Sequence, residues 1–80
     1  MIVRVLLFAR YRESAGSGSV EVMVPPDATL EAVWNAVRDQ IPALGGESAP
    51  LMALDRAYAT GDHRVVAGQE VAFFPPVSGG

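Results

Sequence analysis

Apolar and polar residues alternate over residues 2–9 with the two-residue period of a strand. Val3, Val5 and Leu7 face one side; Ile2, Arg4, Leu6 and Phe8 face the other. Residues 10–19, with Gly16 and Gly18, break that period and read as a loop or wide hairpin turn. Alternation returns over residues 19–24, with Val20, Val22 and Val24 opposite Glu21. Two strands joined by a short Gly-containing connection predict an antiparallel hairpin. Pro25-Pro26-Asp27 ends the second strand, and the period then changes. Leu30, Val33, Trp34, Val37 and Ile41 form a single helical stripe. Thr29 is the expected N-cap, and Glu31 sits in the first turn, where the helix dipole favours a negative charge. Pro42 stops the helix. On this stripe Trp34 reads as core rather than as a cofactor platform.

Residues 43–50 are a small-residue loop containing Gly45-Gly46. Residues 51–54 predict a short strand, Asp55-Arg56 a turn, and residues 57–59 a weak strand or bend. After Val65-Val66, a turn at Ala67-Gly68-Gln69 leads into the last strand, residues 70–74. The order is strand, strand, helix, strand, short strand, strand. One amphipathic helix packed across one face of a mixed sheet satisfies it in the fewest layers, an α+β fold. A right-handed crossover from the second strand predicts a third strand parallel to another strand of the sheet. Residues 1–74 form one domain, and residues 75–80 read as a flexible C-terminal tail.

Eighty residues leave no room for a second domain. A chain this short buries only about 60–65% of its unfolded surface. Half of its residues are nevertheless hydrophobic, so part of that apolar surface is expected to meet a partner. The absence of Cys excludes a disulfide framework, a thiolate metal site and a cysteine nucleophile, and fits a cytoplasmic protein. The apolar run at the start is too short to span a bilayer, Arg4 interrupts it, and no small-residue cleavage site follows, so neither a membrane segment nor a signal peptide is expected. The net charge of −3 argues against a nucleic-acid footprint and for a partner with a basic surface. All six bases are Arg; with no Lys, the chain offers no side-chain amine to an isopeptide bond.

The interior is poor in catalytic material. His63, the single histidine, lies between Asp62 and Arg64 in a polar turn and reads as a surface residue rather than a general base. Asp55 with Asp62, or Glu13 with Glu21, have no spacing that demands a carboxylate pair. Gly16-Ser17-Gly18 has the wrong spacing for a phosphate cradle. No ligand cluster predicts a metal, and no bound cofactor is expected. The tail differs. Pro75-Pro76 gives a stiff exit from the last strand and prevents the tail from joining the sheet. Val77 and Ser78 extend it further, and the six residues 75–80 reach about 18 Å at roughly 3 Å each, enough to enter another protein's cleft. Gly79 and Gly80 carry no side chains, so a narrow channel can admit them. Against the ordinary reading of a frayed terminus, this tail looks built to deliver a carboxylate.

Val5-Leu6-Leu7-Phe8-Ala9-Arg10-Tyr11-Arg12-Glu13 with Ala15-Gly16, and Gly68-Gln69-Glu70-Val71-Ala72-Phe73-Phe74-Pro75-Pro76-Val77-Ser78-Gly79-Gly80, closely resemble the small subunits of molybdopterin synthases, in the ubiquitin-like β-grasp sulfur-carrier family. The resemblance implies a β-grasp fold. It also implies that a separate adenylating enzyme uses ATP to activate the Gly80 carboxylate, that a sulfur donor converts it to a thiocarboxylate, and that this group, inserted into the large subunit, supplies sulfur to a pterin precursor. A heterotetramer with two copies of each subunit is the implied assembly. Two positions depart from the family pattern: Asp55 stands where Asn is usual, and Gly68-Gln69-Glu70 replaces Gly-Asp-Glu. Both put local turn geometry in question rather than the tail.

Phe8, Tyr58 and Phe74 are expected to form one apolar patch that docks on the large subunit. Phe8 lies on the strand face opposite Val3, Val5 and Leu7, Phe74 alternates with core Phe73, and these positions match hydrophobic interface positions of the resembled family. The competing arrangement buries all three under the helix. Val71, Phe73 and Trp34 belong to the core. The nearest alternative function is a sulfur carrier for thiamine synthesis, which shares the Gly-Gly end; a ubiquitin-type protein modifier and a plain interaction domain are alternatives of other classes.

Overall fold

The computed structural model describes residues 1–76. Its elements are β1 (Ile2–Leu7), α1 (Arg10–Ala15), β2 (Ser19–Met23), α2 (Leu30–Gln40), a 3-10 turn (Pro42–Leu44), β3 (Leu51–Leu54), β4 (Ala57–Ala59) and β5 (Val71–Phe74). The five strands make one sheet in the order β2-β1-β5-β3-β4. The β1–β2 hairpin is antiparallel, with Ile2 opposite Met23 and Val5 opposite Val20. β5 inserts between β1, to which it is parallel, and β3, to which it is antiparallel. This is the β-grasp arrangement that the resemblance implied. The crossover through α2 makes β3 run in the same direction as β2, as expected, but the two are not neighbours: β3 pairs antiparallel with β5 and β4, and the hydrogen-bonded parallel pair is β1–β5. The central slot beside β1 goes to the last strand, three of whose four residues, Val71, Ala72 and Phe73, are buried there.

α2 covers one face of the sheet. The Thr29 hydroxyl accepts from the Ala32 amide at 3.2 Å, and Glu31 occupies the first turn, as the sequence predicts. Leu30, Val33, Trp34 and Val37 are buried against Val3, Val5, Leu7, Val22, Val71 and Phe73. The Trp34 ring meets Phe73 edge-on at 5.1 Å and Tyr11 at 5.2 Å. Each such aromatic pair adds about 0.5–1.5 kcal/mol beyond the area it buries.

Two segments read as loop are helical turns. Residues 10–15 form α1 because Tyr11 is wholly buried and anchors the turn to the core. Gly16, at φ +72°, ends it by donating to the Arg12 and Glu13 carbonyls, a left-handed closure that favours glycine. One large apolar residue, Tyr11, with only Ala15 besides it in six positions is too sparse a signal for periodicity to register. The Arg10 guanidinium, bonded to the Glu47 carboxylate at 2.9–3.3 Å, ties α1 to the loop that follows the 3-10 turn. Beyond α2, Pro42 starts that 3-10 turn rather than only ending the helix, and Leu44 on it is fully buried.

Candidate functional site

With α2 on one face of the sheet, the other face is left uncovered, and the alternation of each strand decides what it shows. On β1 these are Ile2, Arg4 and Leu6, continued by Phe8; on β5 they are Ala72 and Phe74; on β3 and β4 they are Leu51, Ala53 and Tyr58. At the end of the sheet where β5 finishes, Phe8 and Phe74 stack with ring centroids 4.5 Å apart and planes 11° from parallel. Tyr58 meets Phe74 edge-on at 6.4 Å. Phe8 is 38% and Tyr58 78% exposed, so the arrangement in which the helix buries all three is ruled out. Val71, Phe73 and Trp34 are buried, as the strand and helix periods required.

The three aromatics share a shallow concavity with Leu6, Ala53 and Ala72, and Arg56 and Glu70 stand at its polar side. The Arg56 guanidinium lies 3.6 Å from the Glu70 carboxylate; Arg56 is largely in solvent and Glu70 partly so. Sequence reasoning missed Arg56, which reads only as a turn residue, and Leu6, which both strand faces make ambiguous. The hairpin itself is held by Asp55. Its carboxylate accepts from the Glu70 amide at 2.8 Å and from the Gln69 side-chain amide at 3.1 Å, while the Gln69 carbonyl oxygen accepts from the Val66 amide at 2.8 Å. The two departures from the family pattern therefore touch each other.

Phe74 is the last residue of β5, and Pro75 and Pro76 follow it half-buried. The remaining predicted tail residues, Val77, Ser78, Gly79 and Gly80, lie outside the described residues. The sequence of the tail thus leaves the sheet from the aromatic patch itself. The other candidates do not assemble. His63 is exposed, with Asp62 and Thr60 beside it; the Thr60 hydroxyl donates to the Asp62 carboxylate and holds its pKa below the ordinary carboxylate value. Asp55 and Asp62 sit in separate turns. Glu21 faces Arg4 across the β1–β2 ladder, whereas Glu13 is on α1. Among the described residues, no three His, Cys, Asp or Glu side chains converge to hold a metal, and no helix is long and apolar enough to cross a membrane.

The family model described as the ThiS family matches residues 5–80. A molybdopterin synthase sulfur carrier subunit from Escherichia coli is 38% identical over 82 residues, covering 99% of this chain and 100% of that protein. Small archaeal modifier protein 1 of Haloferax volcanii is 39% identical over 84 residues, covering 92% of this chain and 95% of that protein. The crystal structure of SAMP1 from that organism superposes with a TM-score of 0.86 at 32% identity, over 100% of both chains. A Helicobacter pylori structure, a complex of subunits 1 and 2 of molybdopterin-converting factor, superposes at a TM-score of 0.64 over 100% of both chains; at 20% identity it bears on the fold alone.

Proposed function

The chain belongs to the ThiS family, and on that footing we propose that it is the sulfur-carrier subunit of a molybdopterin synthase, working in the cytoplasm. The observation that carries the reading is the stacked Phe8–Phe74 pair with Tyr58, an exposed aromatic patch at the point where the tail sequence leaves the sheet. A protein that seats on this patch receives the tail in its own cleft. The name of the E. coli relative supports the choice of sulfur chemistry and of a synthase as partner.

In this reading an ATP-dependent adenylating enzyme binds the chain, and a Gly80 carboxylate oxygen attacks the α-phosphorus of ATP, expelling pyrophosphate. A sulfide-level nucleophile from the sulfur donor then attacks the glycyl carbonyl carbon, and AMP leaves. The product is a thiocarboxylate, a soft sulfur nucleophile tethered to protein. Docked on the large subunit through Phe8, Tyr58 and Phe74, it presents that sulfur to the pterin precursor at high effective concentration. The sulfur forms a bond to a carbon of the precursor and displaces an oxygen leaving group there; water then cleaves the glycyl carbon–sulfur bond, leaving the sulfur on the precursor and restoring the Gly80 carboxylate. Catalytic side chains belong to the partners, and this chain binds no cofactor of its own.

The likeness to a small archaeal modifier protein supports a second reading, in which the activated Gly80 is transferred to target lysines. Intact mass spectrometry after incubation with ATP, the adenylating enzyme and a sulfur source separates the two. Replacement of one oxygen by sulfur on an otherwise unmodified chain is the result expected of a carrier. Stable ladders of conjugates, without that species, establish the modifier and end the carrier reading.

A further inference from the structure

The β3–β4 hairpin turns through two residues, and both lie in left-handed backbone: Asp55 at φ +49° and Arg56 at φ +69°. That turn matches the twist of the strands, and it accepts Asp at its first position but favours Gly at its second. Arg56 occupies the second position, where a side chain is strained. The other non-glycine residue at positive φ among the described residues is Ala9, at +52°, directly after Phe8. All the strained non-glycine backbone therefore adjoins the aromatic patch. Strain held beside a binding surface is maintained for the side chain it positions.

The Arg56 side chain stands at that surface with 87% of its area in solvent. It borders the same concavity as Phe8, Tyr58 and Phe74. Its one acidic neighbour, Glu70, is 3.6 Å away, a loose contact that leaves most of the guanidinium donors uncommitted. In a chain of net charge −3, a partner is steered by a basic surface, and a lone cation at the patch is of the opposite sign. Such a charge sets register and selects among partners more than it adds affinity.

We propose that Arg56 is a docking determinant: it receives a carboxylate of the tail-accepting partner at the edge of the aromatic patch, and backbone strain at this position is retained to place it there. The proposal rests on the carrier reading, with the large subunit as the partner. A planar guanidinium grips a carboxylate in two parallel hydrogen bonds, which a lysine at the same position cannot reproduce.

Arg56→Gly removes the strain and the docking group together, so two measurements are expected to move in opposite senses. The melting temperature of the isolated chain rises by roughly 3–6 °C. Affinity for the purified large subunit, by calorimetry, falls about fivefold, and the salt dependence of binding weakens. Arg56→Lys recovers the salt dependence but only part of the affinity. A melting temperature that does not rise, or affinity for the large subunit that Arg56→Gly leaves unchanged, overturns the proposal. The carrier reading survives that failure as long as the unaltered chain binds the large subunit and Phe74→Ala weakens the complex. Failure of the unaltered chain to bind overturns both.

Discussion

The contact between Asp55 and Gln69 makes a double-mutant cycle the sharpest test of how this hairpin is held. Asp55→Asn keeps an acceptor for the Glu70 amide but turns an NH2 toward the Gln69 NH2, which now lies 3.1 Å from a carboxylate oxygen. Gln69 cannot flip in response, because its carbonyl oxygen is committed to the Val66 amide. The exchange forfeits a charge-assisted hydrogen bond in an exposed setting, about 1 kcal/mol. Gln69→Glu alone sets a second carboxylate against Asp55. At the present 3.1 Å separation, Coulomb repulsion in water is about 1.3 kcal/mol, and salt lowers it to roughly 1 kcal/mol. The double variant rebuilds the bond with donor and acceptor exchanged, and its net charge equals that of the parent. It is expected to melt within a degree or two of the parent, whereas each single variant melts about 4–8 °C lower. The coupling energy is then roughly 2 kcal/mol in favour of the pair. Circular-dichroism melts of the four chains at low and high salt measure it, and salt should relieve Gln69→Glu selectively. A coupling energy under about 0.5 kcal/mol, the range of independent sites, would refute the pairing.

Thr29→Ala removes the acceptor of the Ala32 amide and is expected to cost about 1 kcal/mol in urea unfolding, with the helix still formed because its buried face is unchanged. Phe73→Ala removes a fully buried ring against Trp34. Its cost of about 3–5 kcal/mol is comparable with the whole stability of a domain this small, so near-ultraviolet dichroism should show lost side-chain order at ambient temperature. The Arg10 hydrogen bond lowers the Glu47 pKa, so whatever this pair contributes is present above the unfolded carboxylate value and fades as pH falls through the folded one. The melting-temperature gap between the parent and Glu47→Gln is therefore expected to close on acidification below about pH 4, and a gap that persists there contradicts the pairing. Deleting Gly80 shortens the tail by about 3.5 Å and is expected to abolish thiocarboxylate formation in the mass assay while leaving the melt unchanged.

What the sequence discloses follows from how local each signal is. The strand faces of β1, the Thr29 cap and the stripe on α2 are set by residues within a few positions of one another, so they could be read directly. The aromatic patch was legible too, because alternation around Phe73 leaves Phe74 only one side to occupy. α1 was not: its stability comes from Tyr11 entering a core assembled from residues far along the chain. Strand order was hidden for the same reason. Nothing local to β5 announces that it lies between β1 and β3. Gln69 and Asp55 were each visible as an oddity, but their contact required knowing that a turn fourteen residues away returns to the same place.

The placement of β5 also determines how the molecule answers a pull. β1 and β5 are neighbouring parallel strands, so the start of one and the end of the other lie at opposite ends of the pair. A partner that grips the tail while the body resists therefore loads β5 along its own length. Its ladders to β1 and to β3 are sheared together, rather than peeled open one bond after another. A strand hung on the sheet edge and drawn sideways would yield at its last hydrogen bond and then unzip. Here tension along β5 is shared along both flanks at once.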